Sequence, residues 1–392
     1  MAVGSLTLHQ LLRHPFVLKV ISRITSTTNP LQSHYKLGMD APADPVVPAG
    51  IRAFTYDIFD HTRQLASVRA PEAGPKRARR QRVGVGSGYL LRAYEALQVT
   101  YEQIANLRPL GSPIGTLDRN GQSYVARQIA YQTERFRNLR EWVVSRMFRG
   151  KFYVHASGDD HYVSDSPTGA LFEVNFQLPS THTGALAVGD GGADIIDTLW
   201  SNPSADVVTQ LLNLNKAAMR RTGLPIENIW VNSTAIGWLI NNTVLQSAGG
   251  AAFRVWETAE WRDVDSISDV PQRHGVLEIR FRAIPWITFY VCDAVLAKPT
   301  AEVDVIPPSS TDVDLIIPNG RAIMTPRPGP WLSRATGTEI IQRTLGSAPE
   351  TVVGFQTWQR PILDPFGREL LFLDNFFPVP YIPAAWYYAT IG

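Results

Sequence analysis

The chain has 392 residues, too many for one hydrophobic core and enough for two or three. With 44% hydrophobic and 18% charged residues it has the composition of a folded globular protein, which excludes a disordered one. Net charge is +2, yet residues 61–100 carry +6 and residues 123–150 carry +4, leaving −8 for the rest. A basic part beside an acidic part points to an anionic partner or to head-to-tail self-association.

The single cysteine, Cys292, excludes a disulfide framework and a cysteine-based zinc site. No run reaches the roughly 18–20 apolar residues of a membrane span. Residues 286–297 come nearest and carry Asp293. The first residues lack the basic start and apolar stretch of a secretory signal, so a soluble protein made in the cytosol is expected. Only six of the 37 basic residues are lysine. Arginine suits bidentate holding of carboxylates or phosphates across an interface, although a GC-rich genome explains the bias equally well.

In chain order, residues 5–25 read as a short helix broken at Pro15 and continued as an extended docking arm. Pro42, Pro45 and Pro48 make residues 29–50 an extended strap with no core of its own. Residues 51–69 and 83–101 read as two ribbons joined by the basic tip 71–82. Together they form a long hairpin-like loop that buries little in one subunit and needs a neighbour to order it.

Residues 123–149 carry the strongest helical pattern. Val125, Ile129, Phe136, Leu139, Val143 and Met147 line one stripe, Ser123 is placed to cap the start, and Gly150 follows the end. At 1.5 Å per residue this spans roughly 40 Å, a backbone for a flat subunit. Arg127, Arg135, Arg137, Arg140 and Arg146 are assigned to its other, basic face, turned to neighbours or to DNA.

A hairpin is expected over residues 151–163 with Gly158 at its turn, then a strand over 170–178. Gly184, Gly189, Gly191 and Gly192 mark a domain junction. Residues 194–347 read as an α/β domain. Its helix opens at Pro203 and ends at Gly223, strands cover 226–232, 276–282, 286–291 and 314–324, and a second helix runs over 233–246. Strands over 351–360, 369–375 and 386–391 then return toward the long helix. The fold class is α+β.

Chemistry is sparse. No phosphate-cradling loop occurs, and Gly84, Gly86 and Gly88 lack the helix that a dinucleotide fingerprint requires. Gly158, Asp159 and Asp160 resemble the paired carboxylates of metal-dependent phosphoryl transfer, but Gly and Asp are also what tight turns favour. His155 and His161 flank that tip and read as turn residues. Cys292 reads as a packed thiol. No catalytic, cofactor or metal residue is assigned, and no cofactor is expected. Lys76, Arg77, Arg79, Arg80 and Arg82 bind either nucleic acid or an acidic surface of a neighbour, and the absence of interleaved aromatics weakens single-strand recognition.

This order of parts resembles the major capsid proteins of tailed bacteriophages, with the Hong Kong 97-type fold. The segments TLHQLLRHPFVLKVI, VVSRMFRGKFYV, ENIWVNSTAIGWLINNTVLQ with Gly237 and Trp238, and IIPNGRAIM look closest to the lambda-type capsid protein E family. The resemblance implies an N-terminal arm (1–45), an extended β-hairpin loop (46–117), a spine helix with the first part of a peripheral β-sheet (118–185), an axial α/β domain (186–347), and peripheral return strands (348–392). It implies a non-enzymatic protein that self-assembles, as hexamers and pentamers, into the icosahedral head shell of a double-stranded DNA phage, in the virion after assembly in the host cytoplasm.

The partners so implied are a separate scaffolding protein, a portal, a decoration protein and packaged DNA held non-specifically, with no membrane. Lys76 is the only lysine in the loop, and no catalytic glutamate is assignable, so no isopeptide cross-link is expected. Two alternatives are an encapsulin-like compartment, which shares the fold, and a metal-dependent nucleic-acid enzyme at Gly158, Asp159 and Asp160.

Overall fold

The structure is a computed structural model that describes residues 6–7, 29–39, 41, 43–59, 83–100, 116–117, 119–157, 160–184, 195–248, 259–263, 276–281, 283–297, 313–342, 348–363 and 366–392. Its organisation is α+β. Among these residues one 31-residue helix, Arg119–Arg149, lies beside two large sheets and four small ones. That helix is about 46 Å long and begins four residues before the predicted cap at Ser123. It ends as expected, with Gly150 at φ +101 and its amide on the carbonyls of Arg146 and Met147. Val125, Ile129, Phe136, Val143 and Met147 are buried along the predicted stripe.

Beyond Gly150 the strands Lys151–Ser157 and Asp160–Ser164 pair as the expected hairpin, and Phe172–Asn175 joins the first of them on its other edge. A six-stranded sheet is built around the 15-residue strand Phe366–Pro380. Leu91–Thr100 runs along one side of that strand and Gln356–Leu363 along the other. Leu332–Ile341 pairs with its far end and carries Glu350–Val353.

The axial sheet has seven strands, in the order Thr183–Gly184, Tyr387–Thr390, Arg321–Thr325, Asn228–Val231, Thr288–Cys292, Val276–Phe281 and Ala259–Asp263. Helices Val207–Arg221, Ser233–Ile240 and Thr243–Ala248 belong to this part. The helix predicted from Pro203 begins at Val207, because the Asp206 carboxylate accepts the Thr209 amide. The single helix predicted over 233–246 is two. Asn232 caps the first through Ala235, and Asn242 interrupts the run to cap the second through Leu245.

Two strands cross the boundaries that the sequence suggested. Leu332–Ile341, placed with the axial domain, is part of the six-stranded sheet, and Tyr387–Thr390, placed with the return strands, lies inside the axial sheet. Alternation identifies a strand but not its partner. The strap also differs from expectation. Residues 30–34 are a short helix, and Leu31, Tyr35, Leu37 and Val47 are buried in the main core together with Phe148, Trp331 and Phe377.

Candidate assembly surface

The extended loop is anchored by the hairpin Ala53–Phe59 against Val83–Tyr89. Its register explains the glycine repeat. Phe54, Tyr56 and Ile58 stand directly opposite Gly88, Gly86 and Gly84. A Cβ on Gly86 would lie 2.5 Å from the Tyr56 ring, and one on Gly88 2.5 Å from the Phe54 ring. The rings thus lie across bare backbone, a cross-strand device that fixes register. These glycines are not a phosphate-binding turn. The signal was in the sequence as two period-two patterns, but only the pairing shows that they interlock.

This root is built into its own subunit by the face that holds Phe54 and Tyr56 and by its two ends. Phe54 meets Phe377 edge-on at 5.6 Å, Tyr89 lies 4.6 Å from Phe172, the Phe59 amide donates to the Tyr381 carbonyl, and Gln177 donates to the Val85 carbonyl. Tyr56 is 5% exposed, so the root is more deeply seated than the loop's composition suggested. The opposite face leaves Val85 63% exposed, with Val83 and Phe59 beside it. Lys76, Arg77, Arg79, Arg80 and Arg82 lie outside the described residues.

The five spine-helix arginines do not form one face. At about 100° per residue, Arg140 and Arg146 fall roughly 60° to either side of the apolar stripe, Arg127 nearly opposite it, and Arg135 and Arg137 between. Their surroundings follow. Arg140 is buried and grips Asp374 in a bidentate pair, Nε to Oδ2 at 2.6 Å, with its guanidinium over the Phe376 ring. Arg146 is buried between Asp165 and Asp314, each at 2.6 Å, and stacks on Trp142. Burial, and then Arg149 nearby, pushes its pKa down to about 10.

Arg135 pairs with Glu95 at 3.0 Å and Arg137 with Glu134 at 3.6 Å, both partly exposed and each worth roughly 0–1 kcal/mol. Arg127 is exposed, with no ion pair among the described residues. The helix therefore spends Arg140 and Arg146 inside the subunit. A neutral wheel count would have separated them, since cations flanking an apolar stripe are the ones that burial overtakes.

The paired-carboxylate tip is only partly described. Gly158 and Asp159 lie outside the described residues, and Asp160 opens a strand opposite Ser157. His155 is buried, bonds the Ser166 carbonyl at 3.0 Å and stacks on Tyr162. His161 opposes Ala156 in the ladder. Among the described residues no group of three His, Cys, Asp or Glu side chains is placed to hold a metal. Cys292 is a buried thiol, pushed up to about 12 by burial. No helix among the described residues is long and apolar enough to cross a membrane.

A hairpin loop, a spine helix, a β-sheet at its end and flank, and a separate α/β sheet follow one another along the chain. This is the order of parts that the resemblance to the Hong Kong 97-type fold implies. Solved structures similar to this chain include a protein described as the capsid protein of a prophage in E. coli CFT073, at 11% identity with both chains fully covered and a TM-score of 0.49. Another is a phage-related protein from Bordetella bronchiseptica RB50, at 10% identity, covering 98% of this chain and 97% of the other, with a TM-score of 0.47. A third is the procapsid of satellite phage P4 including its size determination protein, at 10% identity, 95% and 90% coverage, and a TM-score of 0.42. No family model matches the chain, and no curated protein matches it in sequence. The lambda-type resemblance accordingly rests on its four short motifs.

Proposed function

We propose that this chain is a shell-forming protein, the major capsid protein of a tailed double-stranded DNA bacteriophage. The observation that carries the reading is the hairpin root. It is locked to its own subunit by one face and its ends, it presents Val83 and Val85 outward on the other face, and it leads into the basic segment 60–82. A surface so divided suits a loop whose far end is completed by another copy, since exposed apolar side chains beside a cationic tip combine area with charge complementarity. Arg77, Arg79, Arg80 and Arg82 then meet acidic groups of a neighbour, and Arg127 is the spine-helix arginine left for contacts outside the subunit.

In this reading subunits assemble as hexamers and pentamers in the host cytoplasm, with a separate scaffolding protein, a portal and a decoration protein, around DNA held by non-specific contacts. The chain acts as a structural protein and not as an enzyme. Expression alone and together with its genomic neighbours, followed by electron microscopy, tests it. Closed shells or capsomer rings are expected, and a monodisperse monomer under all conditions refutes it. Enclosed DNA identifies a phage head, whereas an enclosed cargo enzyme identifies an encapsulin-like compartment. Replacing Arg77, Arg79, Arg80 and Arg82 by alanine is expected to weaken assembly and leave the monomer folded.

A further inference from the structure

Residues 29–47 touch the spine helix, the axial sheet and the six-stranded sheet in turn. On the helix, the fully buried Glu141 carboxylate accepts the amides of Leu31 at 2.7 Å and Gln32 at 2.9 Å. These are first-turn amides of the helix Pro30–His34, which its own turn leaves unbonded. Asn29 donates to Glu134, and the Gln32 side chain to the Arg137 carbonyl.

One turn later the same segment enters the axial sheet. The Tyr35 hydroxyl lies 2.6 Å from the Thr325 hydroxyl and accepts the Trp230 indole N–H at 3.0 Å. His34 stands among the rings of Tyr35, Trp230 and Tyr290 at 4.9, 5.2 and 4.9 Å. Arg334 of the six-stranded sheet then donates to the carbonyls of Gly38 at 2.6 Å, Met39 at 2.9 Å and Ala41. Val46 and Val47 pair in parallel with Thr336 and Gly337. Residues 29–47 are thus fastened at three places, one on each body, by buried groups.

We propose that residues 29–47 are an internal strap that sets the angle between the axial sheet and the spine helix, with Glu141 as its clasp. A segment bonded to both bodies within five residues leaves little slack, so the two cannot rotate against each other while Leu31, Gln32 and Tyr35 stay seated. For a shell subunit this angle sets local curvature, and in that respect the inference rests on the capsid reading. The strap itself is a property of the single chain.

The test uses the full chain with spin labels at Tyr131→Cys on the spine helix and Lys216→Cys on helix Val207–Arg221, both exposed sites. Labelled chains are diluted with unlabelled ones so that only distances within a subunit are read. Burial keeps Cys292 unlabelled. A single narrow distance is expected in the parent. Glu141→Gln, which turns an amide N–H₂ toward one backbone N–H, is expected to at least double the width of that distribution. Tyr35→Phe, which removes only the hydroxyl, is expected to broaden it less and leaves folding intact.

Distributions in Tyr35→Phe and in any folded Glu141→Gln that match the parent overturn the proposal. Should Glu141→Gln fail to fold, by far-ultraviolet circular dichroism, Tyr35→Phe decides alone. Electron micrographs of the same samples separate the two readings. Parent preparations without shells count against the capsid function and leave the strap to the distance measurement. Parent shells with variant shells of altered diameter support both.

Discussion

Asp374→Asn isolates the buried ion pair that fixes the six-stranded sheet to the spine helix. Arg140 is 1% exposed and Asp374 3%, with two guanidinium-to-carboxylate hydrogen bonds between them. The substitution keeps the shape and removes the charge, leaving an unpaired guanidinium in the interior at a cost of about 3–5 kcal/mol. With an unfolding entropy of about 2.1 cal/mol/K per residue, roughly 0.8 kcal/mol/K for a chain this long, the melting temperature should fall by about 4–6 °C. The double variant Arg140→Met with Asp374→Leu should recover to within about 1 kcal/mol of the parent, because neither charge then needs solvation. Thermal melts of unassembled subunit at fixed concentration provide the assay, read as a double-mutant cycle. Additive losses, or an unchanged melt for Asp374→Asn, would show that Arg140 serves something outside its own subunit.

Acid should loosen the subunit through two histidines. His34 and His182 are both held down at about 4 from 6.5, chiefly by burial, and His182 also by Arg221 at 2.9 Å. The folded state binds fewer protons than the unfolded one, so stability present above about pH 6.5 is lost as pH falls toward 4. The loss is on the order of 3 kcal/mol for each histidine, and His182→Gln should flatten that limb in melts followed against pH. Glu141 runs the other way. Burial raises it from 4.5 to about 8, so stability declines as pH rises between those values, and Glu141→Gln should remove that decline in the same series. Gly86→Ala and Gly88→Ala should each displace a ring and speed proteolysis of the loop, with little change in far-ultraviolet circular dichroism; unaltered cleavage would refute the interlock. Gly320→Ala should destabilise by more than 1 kcal/mol in a denaturant melt, because φ is +69 and a Cβ would lie 2.8 Å from the Gly392 carbonyl.

Local order was legible wherever one period dominated. The stripe from Val125 to Met147 announced the spine helix, and the alternation around Gly158 announced its hairpin. What the sequence withheld was pairing across distance. Nothing in residues 332–341 distinguishes an axial strand from a peripheral one, because that choice depends on Phe376 and its neighbours some forty residues on. The arginines show the same limit from another side. The helical wheel sets Arg140 beside the stripe and Arg127 opposite it, but only Asp374 and Phe376, brought in by a late strand, show that Arg140 is a buried clamp. Glu141 went unnoticed because its ligands are backbone amides, which leave no residue type to search for.

The strand Phe366–Pro380 is central to its sheet, and Tyr387–Thr390 sits between two strands of the other. Leu91 waits for Phe376, and Arg321 for Thr390, before either sheet is continuous. Such distant pairing makes for slow folding, and during synthesis it leaves both halves of the molecule with an open gap until residues 366–390 have left the ribosome. A nascent chain shorter than that leaves Leu91–Thr100 unjoined to Leu332–Ile341 in one sheet and Thr183–Gly184 detached from the other, with strand edges open on both.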